Sequence, residues 1–248
     1  MKILLINANT TPAVTDRIAA EALRVASPGT EVLAVTGTFG ASIVGSRAEI
    51  AIAEHAALDL MARHRSGVDA VVIGVSFDVG LRAGRELLSV PVVGMTEAAC
   101  LIACTLGGRF GIVTYGQRSA AIFREIVASY GLAGRLAGVR GLEASPADML
   151  ADPEALHAQI AGAVNDLVER DGAEVVILAG AVMAGLPLLI QDMVPCPLVE
   201  GIASSIGLAE LLVRLGPAKA RMGSFAPVGD RTVSGLGPEL TALLARKA

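Results

Sequence analysis

The chain has no tryptophan, two tyrosines, five phenylalanines, three histidines and three cysteines in 248 residues. Each shortage excludes something. Nucleic-acid binders carry a basic surface and stacking aromatics. Here the aromatics are scattered, the net charge is −4 and the isoelectric point is about 5.4, so no nucleic-acid partner is expected. Of the cysteines only Cys100 and Cys104 are near each other. They form neither a disulfide framework nor a zinc pattern, which fits a reducing cytoplasm. The longest apolar run, 175–190, is roughly 16 residues against the ~20 a spanning helix needs, and Gly180, Gly185 and Pro187 interrupt it. No membrane association is expected. The chain start turns polar at Asn7 after four apolar residues, too few for a secretion signal. No Gly-x-Gly-x-x-Gly follows a strand and no phosphate-binding Gly-Lys-Ser/Thr occurs, so no nucleotide cofactor is expected. No metal is expected either.

What is present is apolar side chain: 53% of residues are hydrophobic and mean hydropathy is +0.63, far above the range of disordered chains. Short β-branched runs at 2–7, 31–35, 69–75, 91–95, 110–114, 174–178 and 197–200 read as strands. Ala-rich segments of helical period read as helices at 15–25, 48–63, 84–88, 97–106, 119–130, 153–169, 202–215 and 238–246. Continuous apolar strands separated by helices mean parallel sheets covered on both faces. Asp152-Pro153 and Thr96-Glu97 carry helix-start chemistry.

The halves repeat. At a shift of ~105 residues, 69–81 overlays 174–186, 90–93 overlays 196–199 and 97–103 overlays 203–209, and 4–6 overlays 110–112. The expected fold is α/β, with two pseudo-symmetric Rossmann-like lobes of parallel strands and an active site in the cleft between them. The first lobe takes residues 1–95 plus about 203–248 and the second takes 96–202. Ligands in open parallel sheets sit beyond the carboxyl ends of strands. That directs attention to paired loops: 7–11 with 114–118, and 76–80 with 181–185.

In the first pair, Asn7, Asn9 and Thr10 can hydrogen-bond a carboxylate, amide or phosphate beside a helix start, or simply cap a turn. Thr114, Tyr115 and Arg118 form the twin loop. Tyr115 can donate to a developing oxyanion and Arg118 can pair with an anion. Alternatively, the tyrosine packs and the arginine is solvated. In the second pair, Ser76 is a donor or nucleophile and Asp78 a base or a helix cap. His55, His64 and His157 all fall in helices, so a Ser-His-Asp triad is not expected. Glu97 and Glu200 follow strands and are either ligand contacts or helix-start carboxylates. Cys100, Cys104 and Cys196 read as packing residues.

Taken together, Ile6-Asn7-Ala8-Asn9-Thr10-Thr11, Ala41-Ser42-Ile43, Asp78-Val79-Gly80-Leu81, Pro91-Val92-Val93-Gly94-Met95-Thr96-Glu97-Ala98-Ala99, Arg109-Phe110-Gly111-Ile112-Val113-Thr114 and Glu200-Gly201-Ile202-Ala203 resemble the aspartate/glutamate/hydantoin racemase family, most closely its hydantoin and allantoin branch. The resemblance runs to about Phe225 and implies two pseudo-symmetric α/β lobes. It also implies two catalytic cysteines, one per lobe, that remove and return an α-proton. Those positions here hold Val75 and Gly180 or, with a one-residue slip, Ser76 and Ala181. In neither case is a thiol present. An arylmalonate decarboxylase of the wider family already lacks one of the two.

Without thiols, a hydroxyl such as Ser76 is too weak a base at neutral pH. The first expectation is therefore a cofactor-independent enzyme of this superfamily, acting on a small cyclic ureide, amide or amino-acid-like substrate by one-sided chemistry such as ring-opening hydrolysis. Asp78, Ser76 and Tyr115 would carry the reaction. Asn7, Asn9, Thr10, Ser42, Phe77, Thr114, Arg118, Gly180, Ala181, Met183 and Glu200 would bind substrate. The alternatives are a racemase or epimerase using non-thiol groups, a cysteine-inactivated variant, and a non-catalytic binding protein. By resemblance and apolar content the chain is expected to form a homo-oligomer.

Overall fold

The computed structural model describes residues 1–152 and 154–245. Its contacts divide the chain into two units, Met1–Gly94 with Ile206–Ala248, and Met95–Ser205.

The first unit opens with β1 (Lys2–Asn7), α1 (Pro12–Val25), β2 (Glu31–Thr36), α2 (Arg47–His64), β3 (Ala70–Ile73), α3 (Leu81–Leu87) and β4 (Val92–Gly94). All strands are parallel, in the order β2-β1-β3-β4. Ile3 to Ile6 and Ala70 to Ile73 are wholly buried, as central parallel strands covered on both faces must be. Helix α1 starts with Pro12 in its first turn, where a missing N–H costs nothing. It buries Val14, Ile18 and Ala22, one stripe at helical spacing. Ser46 caps α2 by accepting from the Glu49 N–H at 3.3 Å.

The second unit repeats the plan with α4 (Met95–Leu106), β5 (Phe110–Tyr115), α5 (Gly116–Ser129), β6 (Leu136–Leu142), α6 (Pro146–Ala151), α7 (His157–Asp171), β7 (Val175–Leu178), α8 (Pro187–Ile190) and β8 (Leu198–Glu200). Its sheet is again parallel, in the order β6-β5-β7-β8. Helix α9 (Gly201–Leu215) carries the chain back into the first unit, where α10 (Pro238–Ala245) packs on α2 with Leu240 and Leu243 buried. Among the described residues no helix is long and apolar enough to cross a membrane.

Several local expectations need correction. Strand β6 was not expected because its residues, Leu-Ala-Gly-Val-Arg-Gly-Leu, contain no apolar run. Its glycines answer to packing: a Cβ on Gly141 would collide with the Gly116 carbonyl carbon and oxygen, and stand 3.0 Å from the Gln117 nitrogen. Helix α6 was also missed, although Ser145 and Asp148 form a reciprocal capping box. The Ser145 N–H and hydroxyl hold the Asp148 carboxyl below the usual carboxylate range. Asp152 accepts from the Ala155 N–H at 3.2 Å and caps a short 3-10 turn, Glu154–Leu156, so α7 starts later than expected. Pro153 and Arg246, placed in helices by the sequence, lie outside the described residues. Helix α5 begins at Gly116 and α3 at Leu81, each a few residues early. The repeat of the first strand also shifts by one residue. Ile6 pairs with Ile73 and Val113 with Leu178, so the register twin of Ile6 is Val113. Strand β5 carries an irregularity at Phe110/Gly111 where it meets β6, and composition does not mark it.

Candidate functional site

In each sheet the chain runs from the first strand out to the second, then back across to the third. The carboxyl ends of the first and third strands are therefore the topological switch point, where ligands of open parallel sheets bind. In the first unit these ends are the loops after Asn7 and Ile73. In the second they are the loops after Tyr115 and Leu178.

The loop after β1 is built on Asn7, which is fully buried. Its Nδ2 donates to Asn9 Oδ1 at 2.8 Å, Thr15 Oγ1 at 3.0 Å and the Thr11 carbonyl at 3.3 Å, while its Oδ1 accepts the Asn9 N–H at 3.2 Å. A buried amide so completely engaged organises the loop. Asn9 accepts the Thr11 N–H at 2.9 Å through Oδ1, and its NH2 group has no protein partner among the described residues. Thr10 N–H donates to the Ala41 carbonyl at 3.1 Å and Thr11 Oγ1 to the Ser42 carbonyl at 2.7 Å. Ser42, exposed, is thereby tied to the Thr10–Thr11 part of the loop. Gly37 closes the loop from beneath, its N–H donating to the Asn7 and Asn9 carbonyls at 2.8 and 3.0 Å. A Cβ there would stand 2.9 Å from the Ala8 and Asn9 carbonyl oxygens. The sequence reading missed Gly37, although a glycine directly after a strand is the signal for such an approach.

The loop after β3 turns tightly. Asp78 N–H donates to the Val75 carbonyl at 2.9 Å, and Leu81 N–H to the Asp78 carbonyl at 3.1 Å. Asp78 sits at φ 50, in the left-handed region where aspartate and asparagine are the tolerated non-glycine residues. The residue is 6% exposed, and its carboxylate packs on Gly94 at the end of β4. Phe77 is buried and Ser76 half-buried.

The second unit builds the same turn from different residues. Met183 N–H donates to the Gly180 carbonyl at 2.8 Å, and Leu186 N–H to the Met183 carbonyl at 3.0 Å. Gly180 therefore matches Val75, Ala181 matches Ser76 and Met183 matches Asp78. Thr114 and Tyr115 end β5 and are buried, as is Met183, while Ala181 is half-buried. Arg118, in the first turn of α5, is exposed and unpaired among the described residues. Glu200 ends β8 and is 3% exposed. Its carboxylate accepts the Ile202 and Ala203 N–H groups at 2.7 and 2.5 Å, so it caps α9, complementing the helix dipole.

The remaining candidates lie elsewhere. His55 and His64 are in α2 and His157 begins α7. Cys100 is buried in α4, and burial pushes the Cys196 thiol up, away from the reactive thiolate. No group of three or more His, Cys, Asp or Glu side chains among the described residues is placed to hold a metal ion. A cavity of about 360 Å³ lies at the amino end of β4, lined by Arg85, Pro91, Leu212, Lys219 and Phe225 among others, not at the carboxyl-end loops.

Comparison with known proteins agrees with this architecture. The model of the Asp/Glu/hydantoin racemase family matches residues 3–209. The chain is 30% identical over 226 residues to a hydantoin racemase of Pseudomonas sp. strain NS671, covering 91% of each. It superposes on the crystal structure of an allantoin racemase from Pseudomonas fluorescens with a TM-score of 0.92 and 34% identity, covering 95% of this chain and 100% of that one. An allantoin racemase from Klebsiella pneumoniae gives 0.91 and 31%, covering 97% and 99%.

Proposed function

The chain belongs to the Asp/Glu/hydantoin racemase family, and from that premise we propose that it is an isomerase of hydantoin-type ureides that moves a proton at the ring carbon next to the carbonyl without using a thiol. The observation that carries this reading is the buried carboxylate of Asp78, held on a left-handed backbone at the switch point of the first sheet. A backbone held in that region at a ligand-binding loop is strain of the kind functional sites retain.

The chemistry follows from the base. A carboxylate is a weaker base than a thiolate, so it suits a C–H already acidified by an adjoining carbonyl and ring nitrogen. Asp78 takes the proton and the electron pair moves onto the carbonyl oxygen. The NH2 of Asn9 and the hydroxyls of Ser76 and Ser42 stabilise that charge, in the manner of an oxyanion hole. A proton delivered by water to the opposite face inverts the centre, leaving the first proton on Asp78 to pass to solvent, and return from Asp78 to the same face exchanges it without inversion. Asn7 acts by holding Asn9, and Glu200 by fixing the start of α9.

Ring-opening hydrolysis, the reading that the missing thiols favour in the sequence, has no counterpart among these relatives. Racemisation by non-thiol groups is the better supported. Polarimetry of an enantiomerically pure 5-substituted hydantoin, with the uncatalysed rate subtracted, tests the proposal. Rotation should decay to zero with the ring intact, and Asp78→Asn should slow the decay by about 10² or more. Ring opening without prior loss of rotation makes the protein a hydrolase. Binding of the hydantoin with no chemistry makes it a binding protein.

A further inference from the structure

The cavity at the amino end of β4 belongs wholly to the first unit. One side is the body of that unit: Leu88 just past α3, Val92 at the start of β4 and Leu212 in α9. The other side is residues 217–220 and Phe225, from a segment that forms neither helix nor strand. The volume of about 360 Å³ falls within the range of small-molecule sites, roughly 300–1,000 Å³. Helix α3 separates this cavity from the switch point. The Asp78 turn leads into the amino end of the helix, and the cavity lies at the other end.

Two cationic side chains line the cavity, Arg85 and Lys219, and no acidic one does. That is a local reversal in a chain of net charge −4. Both cations are tied to backbone at the corner between α3 and β4. Arg85 Nε donates to the Val92 carbonyl at 3.0 Å, and Lys219 Nζ donates to the Arg85 carbonyl. These two bonds fix where the charges stand without neutralising them, because each acceptor is an uncharged carbonyl. The remaining walls are largely apolar. Leu88 and Val92 are buried, and Phe225 is left 41% exposed. A lone exposed phenylalanine is ordinary. One that lines a cavity together with two cations offers an apolar face to a ligand that also carries negative charge. A bare inorganic anion would meet the cations and leave the apolar walls uncovered. A neutral apolar molecule would cover the walls and leave the cations unused. A carboxylate on an apolar body satisfies both.

We propose that this cavity is a second ligand site, for a small monocarboxylate with an apolar body, held between the α3–β4 corner and the 217–225 segment. The carboxylate accepts charge-assisted hydrogen bonds from Arg85 and Lys219, and the body lies against Leu88, Leu212 and Phe225. Residues of the first unit alone form the site, and it stands independently of the reaction proposed above. A bound ligand pins the 217–225 segment to the body of the unit.

Calorimetry on the full chain with 3-phenylpropanoate tests this, with 3-phenylpropan-1-ol and inorganic phosphate as comparisons. The carboxylate should saturate one site per chain. The alcohol, which lacks the charge, should bind at least about tenfold more weakly, and phosphate should not displace the carboxylate. Lys219→Gln should weaken binding about tenfold. That change also alters the bond to Arg85, so Ala220→Trp serves as a second variant. Ala220 lines the cavity and is exposed, so the indole should fill the space, abolish binding and keep the parent's unfolding midpoint. Asn9→Ala should leave binding unchanged. Amide hydrogen exchange over 218–225 should slow at least about threefold with ligand bound. Absence of saturable binding overturns the site. Equal affinity for the alcohol, or displacement by phosphate, overturns the assigned ligand class. Binding that survives Ala220→Trp and is lost in Asn9→Ala places the ligand at the switch point and overturns the proposal.

Discussion

The carboxylate of Asp78 lies where a side chain on Gly94 would be, with Oδ1 2.7 Å from the place of a Cβ. The register twin of Gly94 in the second sheet is Glu200, since Ile73 pairs with Gly94 and Leu178 with Glu200. Each unit therefore holds one buried carboxylate at the end of its fourth strand. In the second unit the strand itself supplies it, and its oxygens are taken by α9. In the first, it arrives from the turn after β3 across a glycine.

Gly94→Ala should therefore act on Asp78. The methyl group cannot coexist with the carboxylate, and overpacking of this kind costs about 1–3 kcal/mol. Activity should fall with stability. Asp78→Asn keeps the shape and tolerates the left-handed backbone, so it should unfold near the parent's midpoint while losing turnover. Urea unfolding beside the polarimetric assay separates the two.

Glu210 ties α9 to the segment before β2. Burial raises its carboxyl, but the Ser27 and Thr30 hydroxyls, the Ser27 N–H and the Arg214 guanidinium outweigh burial and hold it below the usual range. A carboxyl lowered in the folded state stabilises above its unfolded pKa, about 4.3 for glutamate. That contribution is lost as pH falls through the lower folded value. Glu210→Gln should cost about 1–3 kcal/mol at pH 7. In urea titrations at stepped pH, the gap to the parent should close below pH ~4.

Gly37→Ala should damage the Asn loop from below. The atoms met are backbone carbonyl oxygens, which no rotamer change can move aside. Because the collision bears on the carbonyls of Ala8 and Asn9, KM for hydantoins should rise several-fold, and the unfolding midpoint should fall. Asn7→Ala should cost about 1–3 kcal/mol by leaving its buried partners unpaired, measurable by the same unfolding assay.

Thiol chemistry should be dispensable. Cys100 and Cys196 are buried and Cys104 half-buried, and none stands at the switch-point loops. Iodoacetamide should leave turnover unchanged, as should Cys196→Ala. Stoichiometric inactivation by iodoacetamide would place a thiol in the reaction.

Much of this was legible in residues. Runs such as Ile3 to Ile6 declare buried parallel strands because their composition leaves no polar face, and the repeat announces two sheets of one order. Asn9, Ser42 and Asp78 were legible as short polar residues just past strands. The functions of glycines 37 and 94 were not. Each is explained by a neighbour distant along the chain or across a loop, and a glycine's own letter does not say which carbonyl or carboxylate approaches it. Strand β6 was hidden for a related reason, since Gly138 and Gly141 answer to close neighbours rather than to strand propensity.

The most direct measurement is proton NMR of the protein in D2O with allantoin and 5-substituted hydantoins, against protein-free controls. Solvent deuterium should appear at C5 of an otherwise unchanged ring, at a rate that collapses in Asp78→Asn and is indifferent to iodoacetamide. An open-ring product that forms with no deuterium in the remaining substrate would contradict the account.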